Sequence, residues 1–96
     1  MKRTIRWTAR ARRRLEGIGV HIAANNPVAA ARVVEAIALG IERLASAPGR
    51  GRLGRIPGTR ELVVVGTPYI VAYRVRDDAI EVLTIQHGAQ LWPDDH

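Results

Sequence analysis

Arg60-Glu61-Leu62-Val63-Val64-Val65, Gly66-Thr67-Pro68, Tyr69-Ile70-Val71-Ala72-Tyr73-Arg74-Val75-Arg76, Asp77-Asp78 and Ala79-Ile80-Glu81-Val82-Leu83-Thr84-Ile85-Gln86 follow one another without interruption. The stretch is three strand-forming runs separated by two short turn signals. Turns this short allow only antiparallel neighbours, so residues 60–86 read as a meander. Within the second run Tyr69, Val71, Tyr73 and Val75 share one face, and Ile70, Ala72 and Arg74 share the other. The first run, Leu62 to Val65, is apolar on both faces, which predicts a central strand.

Upstream the periodicity changes. Ala11, Leu15, Ile18 and Ile22 form one stripe of an amphipathic helix, with Thr8 placed to cap it. Arg10, Arg12, Arg13 and Arg14 mostly lie off that stripe, and Gly17 and Gly19 weaken the helix. Asn25-Asn26-Pro27 stops the chain and restarts it, with Asn26 as a cap and Pro27 at the first helical position. Ala30, Val33, Val34, Ile37, Ile41 and Leu44 then give a second, longer stripe. The two helices must form an antiparallel hairpin. Before them, Lys2 to Trp7 alternates as a short strand, with Ile5 and Trp7 on one face. Between helices and meander, residues 46–59 hold four glycines, two prolines and three arginines, and read as an irregular surface loop. The order is β-α-α-β-β-β, and the expected fold is α+β: a two-layer, single domain over residues 1–96, with a helix hairpin packed on a small, mainly antiparallel sheet.

Composition narrows the function. Fifteen Lys and Arg oppose nine Asp and Glu, for a net charge of +6, and all the basic residues but Lys2 are Arg. Arginine suits bidentate recognition of carboxylate or phosphate, so an acidic partner is expected, either nucleic acid or an acidic protein segment. A GC-rich genome would also raise Arg over Lys, but not the net charge. Cysteine is absent, and His21, His87 and His96 make no ligand spacing, so neither metal nor cofactor is expected. No apolar run follows the charged N-terminus, which points to a cytoplasmic protein without a membrane span. No helix carries the basic pattern of a recognition helix, which argues against a simple DNA-binding module.

Several strings, in order, resemble the RelE/ParE superfamily of toxins. Asn26-Pro27 with Ala29-Ala30-Ala31 is similar to the turn between its helices. Gly54-Arg55 and Pro57-Gly58-Thr59-Arg60-Glu61-Leu62-Val63-Val64 resemble its loop and following strand. Pro68-Tyr69-Ile70-Val71-Ala72-Tyr73-Arg74-Val75 resembles the next strand, and His87-Gly88-Ala89-Gln90 with Trp92-Pro93 resembles the ending of one branch. The resemblance implies a toxin of a type II toxin–antitoxin pair, neutralised by a cognate acidic antitoxin that wraps it, with higher-order toxin–antitoxin assembly open. It also implies one of two targets. RelE-like members cleave messenger RNA on the ribosome, and ParE-like members poison DNA gyrase. A degenerate toxin that only binds its antitoxin is a third reading.

A metal-independent endoribonuclease needs a base, an acid and cations at one place. Here Arg60 and His87 are the only candidates. Leu62 takes the next same-face position after Arg60, and Ile70 follows Tyr69 where RelE-like toxins place an arginine. The incomplete set favours the ParE-like, non-catalytic reading. The expected target-binding residues are Arg50, Arg52, Arg55, Arg60, Arg74 and Trp92, and the expected antitoxin contacts are Arg10, Arg13 and Arg14. Each has a plainer alternative. In that reading residues 50–55 are a solvated mobile loop, Arg60 is a surface arginine paired to Glu61 or Glu81, and Arg74 is a solvent-face residue. The Arg10–Arg14 run is then a solvated helix face, His87 a structural histidine and Trp92 a cap on the core.

Overall fold

The computed structural model describes residues 2–90. Trp92 and His96 therefore lie outside the described residues. The elements are β1 (Thr4–Trp7), α1 (Ala9–Ala23), α2 (Pro27–Arg43), β2 (Arg52–Leu53), β3 (Arg60–Val63), β4 (Tyr69–Val75) and β5 (Ala79–His87), with a 3-10 turn at Pro48–Arg50. The strands form one sheet in the order β1-β5-β4-β3-β2. β1 runs parallel to β5, and all other neighbours are antiparallel. The α+β, two-layer reading holds.

Both helix starts follow from the sequence. The Thr8 side chain accepts a hydrogen bond from the Ala11 N–H, and the Asn26 side chain accepts one from the Ala29 N–H, with Pro27 opening α2. Each cap satisfies an orphan donor at a helix start, worth about 1 kcal/mol. Ala11, Ile18, Ile37, Ile41 and Leu44 bury against Tyr69, Val71, Tyr73, Ile80, Val82 and Ile85 of the sheet, with Ile5 and Trp7 packed at the margin. The core is aliphatic apart from the two tyrosines. Each fully buried large aliphatic side chain in it contributes about 1.5–3 kcal/mol.

Two expectations are corrected. Residues 46–59 are not wholly irregular, because Arg52–Leu53 adds a two-residue strand to β3, Arg52 opposite Glu61 and Leu53 opposite Arg60. The apolar run at 62–65 is not central either. β3 stops at Val63, and Val63 and Val65 are 47% and 91% exposed. β2 covers only the first half of β3, so the apolar second half lies at a free sheet edge. The centre of the sheet is β4. Between β4 and β5 the register shifts: Ala72 faces Thr84 and Tyr73 faces Val82, which leaves Leu83 as the extra residue of a bulge.

Candidate target-binding surface

The arginine-rich segment is built around a carboxylate. Glu61 sits in β3 on the face turned away from the helices and is 3% exposed. Its Oε1 accepts from Arg52 Nη2 at 3.2 Å. Its Oε2 accepts from the Arg55 backbone N–H at 2.9 Å and from Arg55 Nε at 3.1 Å. Burial alone would push this carboxyl up, but the Arg55 and Arg52 hydrogen bonds outweigh it and hold the carboxyl below its ordinary value. A buried carboxylate is tolerable only when paired in this way. The arginine side chains remain 56% and 46% exposed, so both still present charge outward. Residues 52–55 are thus an anchored structure, which corrects the reading of a solvated mobile loop. Gly54 is required there, because a Cβ at this position would collide with the Thr59 hydroxyl.

The other side of the segment is anchored by Tyr73. This fully buried residue donates its hydroxyl to the Pro48 carbonyl at 2.7 Å and accepts the Gly51 N–H at 2.8 Å. Arg60 Nη1 donates to the Gly51 carbonyl at 2.7 Å, so Arg60 is not paired with Glu61 or Glu81. Burial raises the Tyr73 phenol above its ordinary value, against the opposing effects of the Gly51 N–H and the Arg60 charge. A Cβ on Gly51 would come within 2.6 Å of the Tyr73 hydroxyl oxygen. Only glycine lets the backbone approach this closely.

The segment's arginines therefore divide. Arg52 and Arg55 stand on Glu61, on the face away from the helices. Exposed Arg50 stands with Arg43 of α2 at a groove of about 440 Å³ whose walls include Leu39, Gly40, Leu62 and Val65. Arg74 is half-buried in β4, opposite Glu81.

The two nuclease candidates are apart. Arg60 faces Tyr73 across β3–β4, whereas His87 faces Tyr69 across β4–β5. The strand geometry separates them by roughly 13 Å along β4 and about 10 Å across it. Ile70, in the position of the expected arginine, has Val63 and Gln86 as its register neighbours. Among the described residues that row holds no cation. His87 accepts the Ala89 N–H at Nδ1 (3.1 Å) and packs edge-on against Tyr69. Its Nδ1 is thus engaged by nearby backbone.

On α1, Arg13 is exposed and Arg10 is half-buried. Arg14 turns inward instead, donating from Nε to the Ile85 carbonyl at 2.8 Å and from Nη2 to Gln90 Oε1 at 3.0 Å. It is a tie between helix and sheet, and not a solvated helix-face residue.

The sequence alone offers Glu61 only as a partner for Arg60, Tyr73 only as a member of one strand face, and Arg43 no role at all. The available signal was one acidic residue in an apolar strand beside an arginine-rich loop.

Fold and surface together define a small basic two-layer protein with an arginine-bearing segment anchored on Glu61 and Tyr73 at one end of its sheet. Residues 5–92 match the family model described as ParE toxin of type II toxin-antitoxin system, parDE. The chain is 50% identical over 92 residues to the protein described as "Putative toxin Y4kP" of Sinorhizobium fredii, covering 96% of this chain and 95% of that protein. It is 39% identical over 85 residues to toxin RelE2 of Caulobacter vibrioides, covering 88% and 94%. Its fold matches a solved structure of the chromosomal ParDE toxin–antitoxin system from P. aeruginosa with a TM-score of 0.83, at 26% identity over 90% of this chain and 96% of that one. The chain belongs to the RelE/ParE superfamily and is a toxin of the type II toxin–antitoxin class.

Proposed function

We propose that this toxin arrests growth by binding and poisoning DNA gyrase, without catalysis of its own. The observation that carries the reading is the separation of Arg60 from His87, with Ile70 in a cation-free row of the sheet. Metal-independent RNA cleavage needs a proton shuttle and phosphorane-stabilising cations within hydrogen-bond reach of one phosphate. A poison needs only a complementary contact surface. Arg52, Arg55 and Arg74 supply it on the face away from the helices, and Arg50 and Arg60 on the other side of the same segment, which Glu61 and Tyr73 hold in place. Pre-anchoring reduces the ordering cost of binding.

The partner in this reading is a cognate acidic antitoxin, as the ParDE pairing of the similar structure suggests. The groove beside Arg43 and Arg50 suits an acidic amphipathic segment, with apolar contacts to Leu39 and Val65 and charge contacts to the two guanidiniums. Arg10 and Arg13 on α1 supply further contacts. The reading is tested by expressing the toxin without its antitoxin, then following plasmid topology and messenger RNA ends together. Loss of negative supercoiling with intact transcripts is expected. Transcripts cut at translated codons with normal plasmid topology would overturn the proposal in favour of ribosomal cleavage.

A further inference from the structure

Leu53 stands among the four arginines of the anchored segment, Arg50, Arg52, Arg55 and Arg60, and its side chain is 80% exposed. A lone exposed leucine on a mobile backbone carries no message. The Leu53 backbone is held from both ends. It pairs with Arg60 in the sheet, and its neighbour Arg52 pairs with Glu61. Before them, the Gly51 N–H donates to the Tyr73 hydroxyl and the Gly51 carbonyl accepts from Arg60 Nη1. After them, the Gly54 N–H donates to the Thr59 carbonyl at 2.8 Å. Strand alternation sends the Arg52 side chain to the Glu61 face and Leu53 to the Arg60 face. β2 is the last strand of the sheet, so among the described residues no strand lies beyond it to cover the leucine.

Residues 46–60 hold these four arginines and no acidic or aromatic residue. Glu61, next along the chain, is buried and already bonded to Arg52 and Arg55. The segment therefore presents one aliphatic side chain, fixed in place within a field of positive charge.

We propose that Leu53 is the apolar centre of the target contact, and that it enters an aliphatic pocket of a protein rimmed by carboxylates that meet the arginines. The inference rests on the reading of this segment as the target surface and adds the chemistry of the partner. An apolar centre within a polar rim is the anatomy of a protein–protein interface. Nucleic-acid strands are gripped by cations together with aromatic side chains that stack on the bases. This segment has no aromatic residue, and Tyr69 and Tyr73 are buried in the core. A second copy of this chain would set four arginines against four arginines, which opposes self-association through this face. Because the backbone is already held, little ordering is lost when the leucine is buried.

The test compares the parent toxin with Leu53→Ser and Leu53→Met. Both variants should unfold in urea at the parent's midpoint, because the side chain is exposed. Leu53→Ser should bind purified gyrase about 10- to 30-fold more weakly, and Leu53→Met, which keeps the apolar bulk, should bind within a few-fold of the parent. The Leu53→Ser defect should persist at high salt, where contacts made by the arginines are screened. Parent-like gyrase binding by folded Leu53→Ser, or Leu53→Met no better than Leu53→Ser, would overturn the proposal. So would a duplex or single-stranded oligonucleotide whose binding falls as steeply in Leu53→Ser as gyrase binding does, which would assign the segment to nucleic acid. If the parent does not bind gyrase, the gyrase reading fails by itself, and growth arrest against toxin level decides the role of Leu53. A requirement for about tenfold more Leu53→Ser, restored by Leu53→Met, would support a pocket on another protein. Equal potency of parent and Leu53→Ser would overturn it.

Discussion

The carboxylate of Glu61 and residue Arg55 meet twice, through the Arg55 backbone N–H at 2.9 Å and its Nε at 3.1 Å, on a carboxylate that is 3% exposed. One buried acid thereby fixes both the path of the segment and the direction of its charge. Glu61→Gln keeps the shape but loses the ion pairs with Arg52 and Arg55. A loss of about 1–3 kcal/mol is expected in urea unfolding, because the arginines can rehydrate once released. Toxicity should fall further than stability alone explains, since the segment loses its anchor. A variant with unchanged midpoint and toxicity would show that the anchor is dispensable.

The same residue sets an acid limit. Its folded-state pKa is lowered, so the unfolded chain binds more protons in the interval below the ordinary glutamate value of about 4.3. The stability Glu61 contributes is complete above that value and is lost as pH falls through the lowered folded-state value. Unfolding midpoints measured across the acid range should decline less steeply in Glu61→Gln than in the parent. Parallel acid limbs would count against the assignment.

Tyr73→Phe removes the group that holds Pro48 and Gly51 and leaves a carbonyl and an N–H without their partner. The expected cost is about 1–3 kcal/mol. The Tyr73 pKa is raised, so its contribution is complete below about pH 10 and is lost as pH rises through the higher folded-state value. Spectrophotometric titration at alkaline pH should show one tyrosine ionising late, and Tyr73→Phe should remove that step.

How far the sequence reveals this molecule differs between its parts. Local chemistry was legible: Thr8, Asn26 and Pro27 start the helices where their side chains and ring predict, and Tyr69, Val71 and Tyr73 face the core as alternation requires. Position within the sheet was not. Val63 and Val65 lie by a groove at a free edge, and alternation cannot distinguish that from a buried centre. The site was half legible. Arginine density located the segment, but the Arg52–Glu61 register that anchors it exists only once β2 pairs with β3. Arg14 looked like an outward helix residue because its partners, Ile85 and Gln90, are far along the chain.

Gly17 and Gly19 offer a contrast within one helix. A Cβ at Gly17 meets nothing within 4 Å, whereas one at Gly19 comes to 3.3 Å from Val34 Cγ2. Gly17→Ala should stabilise the protein by about 0.5–1 kcal/mol, and Gly19→Ala should gain less. Thermal unfolding of the two variants decides this, and a destabilised Gly17→Ala would contradict the open geometry at that position.

On the function proposed above, the toxin acts by contact with gyrase and not by catalysis. The most direct measurement is a supercoiling and DNA-cleavage assay on purified gyrase, with antitoxin-free toxin and with its Arg50→Ala and His87→Ala variants. Blocked supercoiling with trapped cleaved DNA is expected for the parent, an effect on the order of tenfold weaker for Arg50→Ala, and little change for His87→Ala. Gyrase unaffected by folded toxin, together with growth arrest abolished by His87→Ala, would contradict it.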